Sequence, residues 1–490
     1  MRQTNILVIM ADEHNRDMLG CAGHKLVKTP NLDALAARGT RFTNAYTNCP
    51  ICVPSRAAFQ TGNYTHRVRY WDNSIAYDGR VDGWGHQLQA AGYHVESIGK
   101  LHYRREEDPL GFDRKQIPMY IKEGIGSVTA AIRDPLPDLD PAAADKPGFA
   151  AKACAGDSSY TQYDRKVGAL SRDWLAERGA IGDGQPWALF ASFLSPHYPL
   201  TVPQKYFDMY PADHMPDPKL GPDTGYKRHP WVDVLAERQP HANCLTPEKS
   251  RAAYAAYLGL CSFVDAEIGG VLAALDSTGM TDNTRVIYAS DHGENAGARG
   301  LWGKSVLYEE STGIPLIMSG PDIAAGAKCK TPVSLVDMRP TIVAAAGLEA
   351  RDQPVDLPGR SLFDIAATPD DLDRIAFSEY HASASPSGGF MLRKGRYKFN
   401  YYVGYRPELF DLAEDPEETH DLAEDPAFAS VCTEYEALLR AIVDPEAADR
   451  QAKDDQNAII AFHGGREKVL RDKLGAQSYT PVPGVVTKNL

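Results

Sequence analysis

The stretch from Asn48 to Gly62 carries residues that could bind an anion and attack it. Pro54 favours the first turn of a helix, because its missing N–H group has no partner there in any case, and Gly62 can end that helix. Cys52 would then lie just ahead of the helix N-terminus, where free backbone N–H groups and the helix dipole favour negative charge. Arg56 adds a fixed positive charge one turn further on. The stretch therefore predicts a reactive side chain in an anion-binding corner.

Other interpretations of Cys52 remain open when this stretch is taken alone. Cys49 and Cys52 form a Cys-x-x-Cys pair, a pattern typical of redox pairs and of half a zinc site. The sequence contains no second Cys-x-x-Cys, and no thioredoxin-like pattern surrounds this one. Cys52 could also be an ordinary thiol nucleophile or a buried structural cysteine.

The same stretch resembles the signature of the type I sulfatases, a family of the alkaline phosphatase superfamily that includes arylsulfatases, choline-sulfatases and phosphonate monoester hydrolases. In that family a formylglycine-generating enzyme oxidises the motif cysteine to formylglycine (3-oxoalanine), whose hydrate is the nucleophile. The resemblance implies the same conversion at Cys52. The matching residues are Cys52, Pro54, Ser55, Arg56, Thr61 and Gly62.

Acidic side chains and a histidine follow two predicted strands. The apolar run 5–11 predicts a buried parallel strand, and Asp12 and Glu13 stand at its C-terminal end, where open α/β sheets place their sites. A second predicted strand at 284–290 precedes Asp291 and His292. Adjacent carboxylates cost stability unless a cation offsets their charge. A metal site is one interpretation, and a solvated acidic turn is the other.

The family resemblance favours the metal. It implies that one divalent cation is bound by Asp12, Asp291 and His292 together with the modified Cys52, with Glu13 as a further ligand. Calcium is the usual ion in the family. The imidazole of His292 also suits manganese or zinc.

Two lysines and two histidines are further site residues by the same resemblance. Lys100 and His102 follow a predicted strand in a Gly-Lys-x-His motif; the family lysine holds the sulfate, and the histidine acts on the formylglycine hydrate. His197 lies in Pro-His-x-Pro after the strand predicted at 187–193, and its family counterpart lies close to the leaving-group oxygen. Lys304 corresponds to the lysine that bridges the sulfate and the leaving group. Taken alone, these residues could be surface or turn residues.

Asn73 resembles an active-site asparagine of the phosphonate monoester hydrolases and is a candidate substrate-binding residue. An asparagine in a loop is more often a turn residue. This position, together with His292, favours phosphonate chemistry, whereas Gly-Lys-x-His favours sulfate esters.

Alternating strands and helices predict an α/β fold. The family resemblance implies a large, doubly wound, mixed but mostly parallel sheet flanked by helices, as in alkaline phosphatase. Helices are predicted at 163–178 and 250–275, and another begins at Pro30 and is closed by Gly39. Segments 117–158 and 202–246 are rich in proline and weakly periodic, so we expect irregular excursions there.

The character of the chain changes beyond residue 364. Residues 1–365 are the predicted catalytic domain. Residues 366–445 resemble the smaller C-terminal subdomain of the family, an antiparallel sheet with a packed helix, and a hairpin with a glycine turn is predicted at 390–399. The segment 446–490 is predicted to be an extended tail whose apolar patches pack on the body or on a second copy in a homodimer or larger homo-oligomer.

Composition limits the partners. The net charge of −13 argues against a nucleic-acid surface, so a local positive pocket has to attract an anionic substrate. No signal peptide and no apolar run long enough to cross a membrane are recognisable, so we expect a cytoplasmic protein. The eight scattered cysteines are expected to be mostly reduced.

These features together predict a sulfatase that hydrolyses aryl or small alkyl sulfate esters to an alcohol and sulfate. The alternative enzyme is a phosphonate monoester or phosphodiester hydrolase with the same nucleophile. A non-enzymatic binding protein on the same fold is the third interpretation, and the full set of nucleophile, ligands and cations argues against it.

Overall fold

A computed structural model describes residues 3–141, 145–182, 184–239, 241–348, 356–475 and 480–483. The strands are β1 (Asn5–Asp12), β2 (Gly39–Phe42), β3 (Ala45–Tyr46), β4 (His94–Lys100), β5 (Arg114–Met119), β6 (Cys154–Ala155), β7 (Trp187–Pro196), β8 (Thr201–Val202), β9 (Thr284–Ser290), β10 (Leu316–Ser319), β11 (Ala327–Cys329), β12 (Val333–Ser334), β13 (Ala376–Tyr380), β14 (Gly389–Lys394), β15 (Tyr397–Tyr402) and β16 (Glu408–Asp411). The helices are α1 (Pro30–Ala37), α2 (Cys52–Thr61), α3 (Thr65–Val68), α4 (Trp84–Ala90), α5 (Ser159–Ile181), α6 (Gln204–Phe207), α7 (Pro230–Arg238), α8 (Pro247–Ser277), α9 (Glu309–Thr312), α10 (Met338–Ala345), α11 (Leu362–Ala366), α12 (Ala429–Ile442), α13 (Pro445–Phe462) and α14 (Arg466–Arg471).

An eight-stranded sheet in the order β11-β2-β10-β9-β1-β7-β4-β5 forms the centre of the protein. β1 pairs in parallel with β7 and β9, and β4 pairs in parallel with β5 and β7. β10 is antiparallel to both of its neighbours. The predicted mixed, mostly parallel α/β fold is therefore confirmed.

β1 is buried on both faces, which explains its unbroken apolar sequence. Ile6, Val8 and Met10 belong to a core that includes residues of α2, α4 and α10. Leu7 and Ile9 belong to the opposite core, which includes residues of α1, α5 and α8. Because successive side chains of a strand point to opposite faces, helices cover both sides of the sheet.

The long helix α8 is a core element. By length and composition it is apolar enough to cross a membrane, in contrast to the sequence expectation, but 67% of its most apolar window is buried inside the protein. Burial of this kind is typical of the core helix of a globular domain.

Strands β13 to β16 form the predicted antiparallel sheet of the C-terminal part. β14 and β15 are the predicted hairpin, in which Lys394 pairs with Tyr397 and Gly395 has a φ of 55°. Helix α12 packs on this sheet through Tyr435 and Leu439, which share a core with Phe399.

Three segments differ from the sequence expectations. Segment 202–246, predicted to be irregular, contains the helix α7, which begins with a proline in its first turn. Helix α1 ends at Ala37, and Gly39 begins β2 instead of capping the helix. The predicted extended tail is helical over α13 and α14. It packs on its own chain, where Gln456 donates to Asp72 over 2.7 Å.

Candidate active site

The carboxyl ends of four neighbouring parallel strands bring the predicted site residues to one edge of the sheet. Asp12 ends β1 and Lys100 ends β4. His197 follows β7, and Asp291 follows β9. Residues far apart in the sequence thus meet at the sheet edge where α/β proteins place their ligands.

Helix α2 supplies Cys52 and Arg56. Cys52 is the first residue of the helix, one position further in than the sequence predicted, and Ile51 is its N-cap. Gly62 ends the helix in the left-handed conformation, as predicted. Cys49 and Cys52 are both free thiols, so the two do not form a disulfide.

Four buried side chains form a group that could hold a metal ion. One ligand atom from each of Asp12, Cys52, Asp291 and His292 lies within 4.8 Å of the others. The Sγ atom of Cys52 is 3.1 Å from Nε2 of His292 and 3.7 Å from Oδ1 of Asp12. His292 is oriented by its other ring nitrogen, which lies 3.0 Å from the carbonyl oxygen of Gly293. Two carboxylates and an imidazole nitrogen around a buried point are a donor set that fits a divalent cation.

Arg56 and Lys100 offset the buried negative charge. Arg56 donates to Asp291 over 2.8 Å and to Asp12 over 3.2 Å, and Lys100 forms an ion pair with Asp12. Burial by itself raises the pKa of Asp12, but Lys100, His197 and Arg56 together hold that pKa well below its usual range. Asp12 is therefore ionised and able to bind a cation.

Glu13, His197 and Lys304 form a second buried cluster beside the first. Oε2 of Glu13 accepts from Nζ of Lys304 over 2.8 Å and lies 3.2 Å from Nε2 of His197. Asp12, Glu13 and His197 are themselves a second group of candidate ligands. Glu13 is thus absent from the four-residue group and pairs directly with Lys304.

His102 and Asn73 line the cavity above these clusters. The cavity has a volume of about 240 Å³, and Cys52, Lys100, His197 and Lys304 also line it. Oδ1 of Asn73 accepts from the backbone N–H of Val53 over 3.3 Å. Burial, followed by the charge of Lys100, holds the pKa of His102 well below its usual range, so its ring is neutral. All eleven predicted site residues thus lie in the two clusters, beside them or on the cavity wall.

Sequence reasoning missed three neighbours of the site. Ser192 on β7 accepts from Arg56 over 2.9 Å. Glu294, three residues after Asp291, is a like charge that adds to the effect of burial in raising the pKa of Glu13 well above its usual range. Thr480 lies 2.7 Å from His102. The position of Glu294 in Asp-His-Gly-Glu was a usable signal, whereas no local pattern marks Thr480.

Comparisons with known proteins define the family. A family model described as "Sulfatase" matches residues 4–348, and one described as "N-sulphoglucosamine sulphohydrolase, C-terminal" matches residues 297–444. The choline-sulfatase of Rhizobium meliloti (strain 1021) is 31% identical over 429 residues, which cover 84% of this chain and 81% of the relative. Arylsulfatase K of Danio rerio is 28% identical over 479 residues, covering 90% and 84%.

The solved structures agree with these sequence relatives. The crystal structure of the phosphonate monoester hydrolase of Agrobacterium radiobacter matches with a TM-score of 0.72 at 25% identity, covering 90% of this chain and 95% of that chain. The chain belongs to the sulfatase family of the alkaline phosphatase superfamily. It is a sulfatase-family hydrolase, that is, a sulfuric ester hydrolase.

Proposed function

We propose that the protein hydrolyses the sulfate esters of small alcohols or phenols, with the formylglycine form of residue 52 as the nucleophile. The observation that carries this proposal is the position of Cys52. It is the first residue of α2, lies 3.1 Å from His292 inside the buried donor group, and lines the cavity. The choline-sulfatase and arylsulfatase K relatives support sulfate esters as the substrate class.

The chemistry of the formylglycine hydrate explains why the cysteine at this position would be oxidised. A formylglycine hydrate supplies one hydroxyl for attack on sulfur and a second whose deprotonation reforms the aldehyde and expels sulfate. A serine or a cysteine lacks this exit. Conversion of Cys52 requires a formylglycine-generating enzyme in the cell that makes the protein.

A divalent cation held by Asp12, Asp291, His292 and residue 52 would stabilise negative charge on the ester oxygens as a Lewis acid. Calcium, manganese and zinc are the candidate ions. Arg56 holds the carboxylates of Asp12 and Asp291 in place. In this proposal Glu13 acts through Lys304 and is not a ligand.

Lysine and histidine side chains perform the remaining steps. Lys100 and Lys304 bring positive charge to the cavity, which stabilises the charge that develops on the sulfate group. In this proposal Lys304, which contacts His197 and lines the cavity, donates a proton to the leaving oxygen. His102 is neutral and therefore able to accept the proton of the second hydroxyl.

The proposal is tested by the mass of the peptide that contains residue 52, together with turnover of an aryl sulfate. Protein produced with a formylglycine-generating enzyme is expected to carry oxygen in place of the sulfur and two hydrogens, and to hydrolyse 4-nitrophenyl sulfate. An unmodified thiol in an active enzyme would contradict the hydrate mechanism. A modified residue without turnover of any sulfate ester would contradict the proposed substrate class.

A phosphonate monoester hydrolase is the second candidate function. Its support is the structural match with the Agrobacterium radiobacter enzyme, together with Asn73 on the cavity wall. Comparing kcat/KM for 4-nitrophenyl sulfate with that for 4-nitrophenyl phenylphosphonate separates the two functions. A higher value for the phosphonate would make sulfate hydrolysis the side activity.

A further inference from the structure

The C-terminal segment of the chain returns to the active-site cavity. Thr480 lines this cavity, and its Oγ1 atom lies 2.7 Å from Nε2 of His102, a residue 378 positions earlier. The hydroxyl of Tyr160 donates to the carbonyl oxygen of Thr480 over 2.8 Å. Val482, two residues further on, is buried in the core beneath the sheet. The contacts of its carbonyl oxygen and of Val482 thus hold Thr480 against His102.

The ring of His102 has few other restraints. Its Nδ1 atom is buried and has no hydrogen-bond partner among the described residues. The His102 backbone has a φ of 57°, and its N–H donates to the carbonyl oxygen of Met119 over 2.7 Å. The backbone is therefore anchored, while the rotation of the ring depends on the contact with Thr480.

We propose that Thr480 is a positioning residue for His102, so that the C-terminal segment completes the active site. The hydroxyl of Thr480 either donates to Nε2 or accepts from it. In both cases the contact holds the orientation of the ring, and the direction of the hydrogen bond is coupled to which ring nitrogen carries the proton. This inference rests on the proposed function, in which His102 assists the release of sulfate.

His102 assists the release of sulfate, so the loss of the Thr480 hydroxyl would affect that step of the reaction. The proton of the second hydroxyl passes to a ring nitrogen of His102, and the oxygen it leaves forms the C=O bond of the aldehyde. The carbon–oxygen bond to the sulfate group breaks, and sulfate leaves with the bonding electron pair. Attack on sulfur precedes this step and does not depend on His102. A misplaced ring therefore slows sulfate release but not alcohol release.

The replacement Thr480→Val removes the hydroxyl and keeps the shape of the side chain. We expect kcat to fall on the order of 10-fold, because positioned proton transfer contributes at least that much to such steps. KM falls in proportion, so kcat/KM stays unchanged, and a rapid burst of about one equivalent of phenol precedes the slow steady state. Thr480→Ser restores a hydroxyl and is expected to recover most of kcat.

Thr129→Val is the matched control. The hydroxyl of Thr129 donates to the carbonyl oxygen of Leu474 over 2.7 Å, so this variant loses a hydrogen bond to the same C-terminal region without touching His102. We expect wild-type kcat and no burst. If Thr480→Val behaves like Thr129→Val, or if serine fails to restore kcat, the positioning role is refuted.

A second measurement does not depend on turnover. Two-bond ¹H–¹⁵N spectra report the tautomer of each imidazole, and the spectrum of His102→Asn identifies the signals of His102. We expect Thr480→Val to change these signals and Thr129→Val to leave them unchanged. Unchanged His102 signals in Thr480→Val would overturn the inference even in a protein that turns over no ester. If the wild-type protein turns over no ester but Thr480→Val shows the expected change in the His102 signals, only the proposed function is refuted.

Discussion

Nζ of Lys304 lies 2.7 Å from Nε2 of His197, and Nδ1 of the same ring lies 2.6 Å from the carbonyl oxygen of Tyr198. A carbonyl oxygen can only accept, so Nδ1 carries the ring proton and Nε2 accepts from Lys304. Burial, followed by the charge of Lys304, holds the pKa of His197 well below its usual range. The lysine is therefore the member of this pair that has a proton to donate.

Replacing Lys304 should affect esters according to their leaving group. An alkyl alcohol needs a proton as it leaves, whereas 4-nitrophenolate leaves without one. For Lys304→Ala we expect kcat/KM to fall roughly 10²–10⁴-fold for an alkyl sulfate and much less for 4-nitrophenyl sulfate. The measurement is kcat/KM over a series of sulfate esters with leaving groups of different pKa.

Lys122→Ala is the control for that series, because Lys122 also lines the cavity but has no contact with His197 in the part of the chain that the structure describes. An equal loss for all esters in Lys304→Ala would show that Lys304 only binds the sulfate.

Replacing Cys52 separates the nucleophile from the fold. Cys52 is 2% exposed, and replacing it with alanine removes only the sulfur atom from the first residue of α2. We expect Cys52→Ala to lose all measurable turnover with little change in Tm. Cys52→Ser is expected to release at most one equivalent of alcohol, because a serine ester of sulfate cannot reform an aldehyde. Multiple turnovers by the serine variant would contradict the hydrate mechanism.

The metal content of two variants distinguishes ligands from neighbours. His292→Ala removes a donor of the four-residue group, and we expect its bound metal, measured by elemental analysis, to fall from about one ion per chain to a small fraction of that. Glu13→Gln keeps its metal, because Glu13 pairs with Lys304 outside that group. Loss of metal in both variants would restore Glu13 as a ligand.

Removal of the metal should also lower stability. A bound ion stabilises the folded state by roughly 3 kcal/mol when its free concentration is a hundred times its dissociation constant. A chelator is therefore expected to lower the Tm of the wild type by a few degrees and to leave the Tm of His292→Ala nearly unchanged. An equal effect of the chelator on both proteins would place the ion elsewhere.

Glu379 should make stability depend on pH away from the active site. Its buried carboxylate accepts hydrogen bonds from His66 over 2.9 Å and from His381 over 3.0 Å. Burial raises its pKa, but the two histidines outweigh burial and lower the pKa from 4.5 to about 2. Since the folded-state pKa is the lower one, the stabilisation is complete above pH 4.5 and is lost as the pH falls towards 2.

The stabilisation that is lost when Glu379 becomes protonated is expected to be about 3 kcal/mol, because each unit of pKa difference corresponds to about 1.4 kcal/mol. Urea unfolding of Glu379→Gln should show lower stability at pH 7 and a weaker loss between pH 4.5 and pH 3 than the wild type. Glu467→Gln, at an exposed carboxylate on α14, is the control. A wild-type pH dependence in Glu379→Gln would refute the assignment.

Local patterns were sufficient for the elements that position the site. The apolar run before Asp12 is β1, because a strand buried on both faces needs a nearly unbroken apolar sequence. The strand predicted before Asp291 is β9. Gly62 correctly predicted the end of α2, and Pro54 predicted its start to within about one residue. Helix α13 was missed because only six of its residues are buried. Some of these six are themselves polar, so the sequence shows no clear apolar periodicity there.

The sequence by itself determined the chemical types at the site and the strand or helix that carries each of them, because these depend on short motifs and local periodicity. Only the tertiary structure decided which side chains touch. The sheet order places β1 between β7 and β9, which brings Glu13 to His197 and to Lys304. The tertiary structure also decided that Thr480 reaches His102. Contacts between residues hundreds of positions apart depend on how the elements pack, and no local pattern encodes that packing.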